Sequence, residues 1–324
     1  MEGVIDNEMR DVLTRLGGYD RCVTEFIRVN DLMLPEHIFF KLCPELKTDG
    51  CTSVGVPVYL QLLGGNASSM GKNAANAQKL NPKGIDINFG CPSKTVTNSD
   101  GGSALLREPE RIGNIVSAVR DAVDPSIPVT AKIRLGFSNH DLLDEVVDNI
   151  VEAGASELCI HARTREDRYK PPAYWSVVKK ISDRINIPVI INGEIWSIED
   201  AKRARNESGC SDIMLGRGAL TYPDLAKSIQ ASEQNVQYQD NSWLETVELM
   251  HEYLINSQNK HRLFVSNRAK QWLVFLQMHY QEAKALFHQI KRLKEASDVF
   301  DHLENYKKTF LDADQAGLGN TPST

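Results

Sequence analysis

Between Cys22 and about Tyr222 the sequence alternates short β-branched runs with longer helical patterns. That alternation restricts the chain to parallel strands joined by right-handed helical crossovers. Strands are expected at Cys22–Val29, Pro57–Leu63, Gly84–Gly90, Pro128–Leu135, Glu157–Ala162, Pro188–Asn192 and Asp212–Gly216. Helices are expected between them, as at Ser69–Leu80, Pro109–Val123, Leu142–Ala153, Ser176–Arg184 and Ile198–Ser208. Ile127-Pro128-Val129 and Ile187-Pro188-Val189 each place proline first in a strand, where no ladder donor is lost. The fold class is therefore α/β, a TIM (β/α)8 barrel. A closed barrel needs eight strands, and no strand pattern precedes the first helix, Asn7–Leu16. An open barrel would expose two sheet edges. The expectation is that the first strand is missing from this sequence and that Met1 is not the natural start.

After Gln237 the pattern is helical only, through Trp243–Ile255, Leu263–Tyr280, Glu282–Leu293 and Ser297–Leu311. The expected organisation is a barrel domain over 1–236, an all-α helical bundle over 237–313 and a disordered tail over 314–324. At 324 residues the chain can bury such a core. No apolar run approaches the ~18 residues of a membrane span, and no signal peptide is visible, so a cytoplasmic location is expected. Six cysteines form neither a CxxC pair nor a His/Cys cluster at zinc spacing, which points to free thiols and no metal. The net charge of −6 hides a basic stretch. Lys260, Arg262, Arg268, Lys270, Lys284, Lys291, Arg292 and Lys294 face a single acidic residue, Glu282. A local basic patch on an acidic body suits a polyanion.

Polar residues gather at successive strand ends: Glu25 and Arg28, Gln61, Asn88 and Cys91, Lys132 and Arg134, His161 and Arg163, Asn192 and Glu194, Arg217. In a (β/α)8 barrel these ends open onto one catalytic face. Gly90 and Pro92 flank Cys91 where a strand gives way to a loop, exposing the thiol as a nucleophile, redox sensor, metal ligand or acid. Asn192-Gly193-Glu194 and Gly216-Arg217-Gly218 end the last two strands, where such barrels cradle a ligand phosphate. No GxGxxG opens a βαβ unit, so a Rossmann site is unsupported. Lys132 suits either a Schiff base or an electron-rich cofactor beside it.

The ordered phrases Met1-Glu2-Gly3-Val4, Thr24-Glu25-Phe26, Asp86-Ile87-Asn88-Phe89-Gly90-Cys91-Pro92, Lys132-Ile133-Arg134, His161-Ala162-Arg163-Thr164, Asn192-Gly193-Glu194-Ile195 and Gly216-Arg217-Gly218-Ala219 resemble the motifs of tRNA-dihydrouridine synthases. Arg28, Trp196 and Arg268-Ala269-Lys270-Gln271-Trp272-Leu273 are similar to the bacterial C subgroup, which acts on uridine 16. The resemblance implies FMN, NADPH (or NADH) as reductant, a tRNA substrate and a helical tRNA-binding domain, in a chain expected to be monomeric. It implies cofactor contacts from Met1, Gln61, Lys132, His161, Asn192, Gly193, Glu194, Gly216 and Arg217, the last five around the phosphate. It implies that Asn88 and Arg134 hold the uracil and that Arg28, Arg268 and Lys270 meet tRNA. Hydride would pass from flavin N5 to uracil C6, and Cys91 would give a proton to C5. The family's first strand ends in Ala-Pro against the flavin; this sequence lacks it, which puts flavin retention in question. Three rivals remain: a flavin barrel acting on a small molecule, a Schiff-base lyase using Lys132, and an RNA-binding protein without activity. The basic helical stretch speaks against the first, and a visible flavin spectrum separates the second.

Overall fold

The structure, a computed structural model, describes residues 3–98, 100–258 and 262–315. Met1, Lys260 and the segment 316–324 therefore lie outside the described residues. Strands form at Cys22–Val23 (β1), Ile27–Arg28 (β2), Val58–Leu63 (β3), Ile85–Asn88 (β4), Val129–Arg134 (β5), Glu157–His161 (β6), Val189–Asn192 (β7) and Asp212–Met214 (β8). Every pairing is parallel, running β1 and β2 against β3, then in sequence order to β8. Each expected strand is found, and the architecture is that of a TIM-type barrel. Among the described residues no strand precedes Asn7 and no pairing joins β8 to β1.

One strand differs from expectation. Cys22–Val29 is broken, because Cys22 pairs with Val58 whereas Ile27 pairs with Leu62. Five steps on one side match four on the other, which is a β-bulge, a device that re-aims side chains beside active sites. The buried Glu25 sits in the bulge, and its carboxylate accepts the backbone N–H groups of Gly3 and Val4.

The helices follow their local chemistry. Asn66 caps Ala67–Gln78 by accepting from Ser69 N, starting this helix two residues before the apolar pattern suggests. Gly71 lets this helix approach Pro109–Ala122, since a Cβ there would lie 2.7 Å from the Ala118 carbonyl oxygen. The layer between the strands and the helices is apolar; Leu60, Leu62, Ile85, Ile87, Ala131 and Ile133 are fully buried.

The chain divides into two compact units, Met1–Gly216 and Arg217–Thr324. Helices Arg217–Thr221 and Leu225–Glu233 thus belong with the helical unit, although strand–helix alternation assigns them to the barrel. A buried carboxylate accounts for this. Asp224 accepts from Tyr238 Oη at 2.6 Å and from Asn241 Nδ2 at 2.9 Å, tying the connection after Glu233 back to these helices. The helical unit continues through Trp243–Asn256, opened by a Ser242/Glu245 capping box, then Arg262–Leu276, Glu282–Ile290 and Ala296–Gln315. The stripe Val265, Ala269, Trp272, Leu273, Leu276 and Tyr280 is buried as its spacing requires. Trp272 Nε1 donates to Leu220 O at 3.0 Å.

Candidate active site

The carboxyl ends of the parallel strands bring the expected residues of the first unit into one region. Asn88 ends β4, Lys132 and Arg134 lie on the last half of β5, His161 ends β6 and Asn192 ends β7. Register fixes the neighbours: Asn88 pairs with Lys132, Arg134 with His161, and His161 with Asn192.

Cys91 is half-buried, and its backbone is pinned on both sides. Gly90 N donates to Asn88 Oδ1 at 2.9 Å, while Gly90 O accepts from Arg134 Nε at 2.8 Å. Cys91 O accepts from Ser103 N at 3.1 Å and from Ser103 Oγ at 2.8 Å. Gly102, at φ +57°, is what allows this closure; a Cβ there would meet Cys91 O at 2.9 Å. The thiol thus sits on a rigid turn against a small cluster of Phe26, Leu63 and Val96.

Below it lies a polar ladder. Asn88 Nδ2 donates to Gln61 Oε1 at 2.8 Å, Gln61 Nε2 to Asp86 Oδ2 at 2.7 Å, and Thr130 Oγ1 to Asp86 Oδ1 at 2.6 Å. Burial pushes the Asp86 carboxyl above its usual range, against the pull of those two hydrogen bonds and of Lys132 and Arg21. Lys132 Nζ donates to Asn192 Oδ1 at 3.0 Å, and Asn192 Nδ2 to Met214 O at 2.7 Å. This places an ammonium group between β5 and β7. Beneath it Cys159, its thiol pushed up to about 11 by burial, lies 3.6 Å from Met214 Sδ.

The turn after β7 has the shape of an anion cradle. Gly193 at φ +111° is followed by Glu194 at φ +56°, and a Cβ on Gly193 would lie 2.7 Å from His161 Cδ2. Successive backbone N–H groups in such a turn can converge on an anion. A glutamate there looks unsuited to phosphate, yet its carboxylate lies 2.8 Å from the Arg163 guanidinium. Glu194 is therefore charge-matched. Arg163 is fully buried, and its Nη1 is left without a hydrogen-bond partner among the described residues. An orphaned buried donor, an ammonium group and a left-handed turn together fit an anionic, polar cofactor such as FMN.

Other expected residues sit differently. Arg134 is buried and spends its guanidinium on backbone, donating to Gly90 O, Thr164 O and Arg168 O, with the Tyr169 ring 5.3 Å away. Burial lowers its pKa. Arg28 ends β2 and is half-buried. In the helical unit, Arg217 begins the helix that follows Gly216, Arg268 is 8% exposed and stacks over Phe264 at 4.6 Å, and Lys270 Nζ donates to Leu293 O. Neither Arg268 nor Lys270 stands out in solvent, as their place outside the apolar stripe suggests. Sequence reasoning assigned no role to Asp86, Ser103 or Gly102. Asp86 carries a visible signal, a carboxylate inside the buried run Ile85-Asp86-Ile87; Ser103 has none.

A parallel barrel with polar groups and a held thiol at its carboxyl strand ends defines a barrel enzyme with its chemistry on that face. The dihydrouridine synthase (Dus) family profile matches residues 1–314, and the chain belongs to that family of flavin-dependent oxidoreductases. It is 45% identical over 305 residues to a tRNA-dihydrouridine(16) synthase of Shewanella oneidensis, covering 94% of this chain and 95% of that protein. It is 47% identical over 293 residues to one from Pseudomonas putida, covering 90% and 91%. Among solved structures, the old yellow enzyme homologue from Zymomonas mobilis shares the fold, with a TM-score of 0.52 and 11% identity over 75% of this chain and 87% of that one. No helix among the described residues is long and apolar enough to cross a membrane, and no group of three or more His, Cys, Asp or Glu there could hold a metal ion.

Proposed function

We propose that the chain reduces uridine 16 in the D-loop of tRNA to 5,6-dihydrouridine, with FMN as resident cofactor, NADPH as reductant and Cys91 as the acid. The observation that carries this reading is the Cys91 turn, locked by Asn88, Arg134 and Ser103 at the same strand ends as Lys132 and the cradle after β7. FMN, once bound and reduced, supplies the hydride that adds to uracil C6.

The protein's residues do the rest. Gln61, Lys132 and His161 border the cofactor, with the Lys132 ammonium stabilising negative charge. Gly193 and Glu194 offer backbone N–H groups to its phosphate, with Asn192 and Gly216 beside them. The roles of Met1 and Arg217 in holding FMN are carried by the sequence pattern. Asn88 donates to the uracil. Arg134 braces the turn that carries Cys91 and meets the uracil second. The target nucleotide leaves its stack, at a cost of a few kcal/mol, and Cys91 Sγ–H protonates C5 as charge builds on the base. A thiol fits this task when it stays protonated until that moment. Arg28, Arg268 and Lys270 contact tRNA, and the protein acts as a cytoplasmic monomer. No separate nicotinamide pocket is needed if NADPH stacks on the flavin and departs before RNA binds.

The test uses tRNA from a strain lacking dihydrouridine at every position. The purified protein should be yellow, oxidise NADPH, and place dihydrouridine at position 16 only. Its tRNA affinity should fall steeply with salt. Dihydrouridine at another position overturns the choice of uridine. A colourless protein, or one trapped by borohydride onto a small carbonyl compound, overturns the reading itself.

A further inference from the structure

Four side chains from three neighbouring strands form one continuous relay inside the barrel: Thr130 on β5, Asp86 and Asn88 on β4, and Gln61 on β3. Thr130, Asp86 and Gln61 are buried, and Asn88 is half-buried at the mouth. Carboxamides are nearly symmetric, so each amide could in principle sit either way round. Here both ends of the relay dictate the same orientation. At the upper end Gly90 N–H can only donate, so Asn88 must turn its oxygen to it, at 2.9 Å. The Asn88 nitrogen then faces Gln61, whose oxygen must receive it, at 2.8 Å. That leaves the Gln61 nitrogen facing Asp86, at 2.7 Å. At the lower end, Asp86 meets that nitrogen with Oδ2, and in its ionised, acceptor-only form the carboxylate demands the same orientation. Thr130 supplies its second donor, at 2.6 Å. Turning either amide round would set donor against donor or acceptor against acceptor.

We propose that Asp86 is a positioning residue that acts through Gln61 to hold Asn88 as a hydrogen-bond donor toward the substrate base and to latch Gly90 beside Cys91. The inference rests on the uridine-reducing reading. With Oδ1 occupied by Gly90 and one N–H by Gln61, what Asn88 offers a ligand is its second N–H. Uracil presents carbonyl oxygens, which accept; cytosine carries an exocyclic amine at C4, which donates. A donor fixed at Asn88 matches the first and opposes the second. The same orientation keeps the Gly90 N–H in place, and Gly90 precedes the acid. Asp86 thus reaches both recognition and protonation from one layer below, touching neither base nor cofactor.

Asp86→Asn tests this. An asparagine fills the same space but can show Gln61 either nitrogen or oxygen, so the lower end no longer imposes the orientation and only the Gly90 N–H still favours it. The flavin-bound variant should be reduced by NADPH at a rate within about two-fold of wild type, while its reoxidation by uridine-containing tRNA falls about 10- to 100-fold, the size expected for one mispaired buried hydrogen bond. Hydrogen exchange at the Gly90 amide should quicken by at least about ten-fold. In an Asn88→Ala background the same substitution should add less than about two-fold, because both act through one amide. Equal losses in both half-reactions, an undiminished reaction with uridine, or a full additive loss on Asn88→Ala each overturns the proposal. If Asp86→Asn does not accumulate with flavin bound, Thr130→Val is used. It removes one donor to the carboxylate and should produce a smaller loss confined to the uridine step; no such loss overturns the proposal. Wild-type protein that oxidises NADPH but leaves uridine untouched would instead overturn the functional reading, while Gly90 exchange still reports on the relay.

Discussion

Around the start of the first strand, Arg10 meets Glu45 at 2.8 Å, both buried, and Arg21 meets Glu157 at 3.0 and 2.5 Å while stacking 4.4 Å over Tyr59. Each cation there has a carboxylate partner. At the carboxyl ends the cations are arranged otherwise. Lys132 donates to an amide and Arg134 to three backbone carbonyls; Arg163 alone of the three has a carboxylate beside it, Glu194 at 2.8 Å, and its Nη1 still keeps no hydrogen-bond partner among the described residues. Paired charges close an end and hold it. Cations resting on neutral acceptors keep net positive charge, which an anionic cofactor and an anion-like transition state can use. The difference separates the stabilising end of this barrel from its working end.

The largest effect that would break this comparison is at Cys91. Cys91→Ala should bind FMN and be reduced by NADPH as wild type, yet reduce uridine about 10²–10⁴-fold more slowly, the usual contribution of a placed general acid. Single-turnover mixing of reduced protein with tRNA measures it. Wild-type turnover would leave the thiol without a role and the two ends without a functional contrast.

Arg10→Ala probes the other end. Removing one partner of a buried pair strands the Glu45 carboxylate, at a cost of about 3–5 kcal/mol. Denaturant unfolding should show that loss. Under conditions where the variant remains folded, its flavin spectrum and its uridine step should match wild type. A selective loss of the uridine step would mean that this end also serves the chemistry.

The strands were legible because burial on both faces writes continuous apolar runs, and proline marks two of their starts. The strand-end ring was legible because parallel topology forces those positions onto one face. The bulge at Thr24–Phe26 was not, since it exists only in the register against β3. Lys270 shows a second limit. Its own helix leaves it outside the apolar stripe, but the Leu293 carbonyl that receives its ammonium comes from beyond the next helix. Periodicity describes one element and is silent about the end of another. Arg163 shows a third. The strand-end pattern places it on the catalytic face, but its full burial and its pairing with Glu194 come only from the fold.

The smallest expected effect concerns Asp86, a carboxylate buried beneath the working end. Burial raises the folded-state pKa of Asp86 above its usual value near 3.8, with Lys132 and Arg21 pulling the other way and falling short. The folded chain therefore binds this proton more tightly than the unfolded chain. Where the unfolded carboxylate has ionised and the folded one has not, the folded state holds more protons, and stability falls as pH rises. Below that window Asp86 is neutral in both states and contributes nothing to the slope. Above it the charged form carries a constant penalty. Asp86→Asn has no such titration, so its melting temperature relative to wild type should climb as pH is raised from about 4 and then level off. Fixed losses from altered hydrogen bonds move the whole difference without changing its slope. A variant that gains relative stability with pH while losing speed on uridine would mark Asp86 as a charge kept for orientation at the expense of stability. A flat or falling difference would place this carboxylate with the paired charges of the other end.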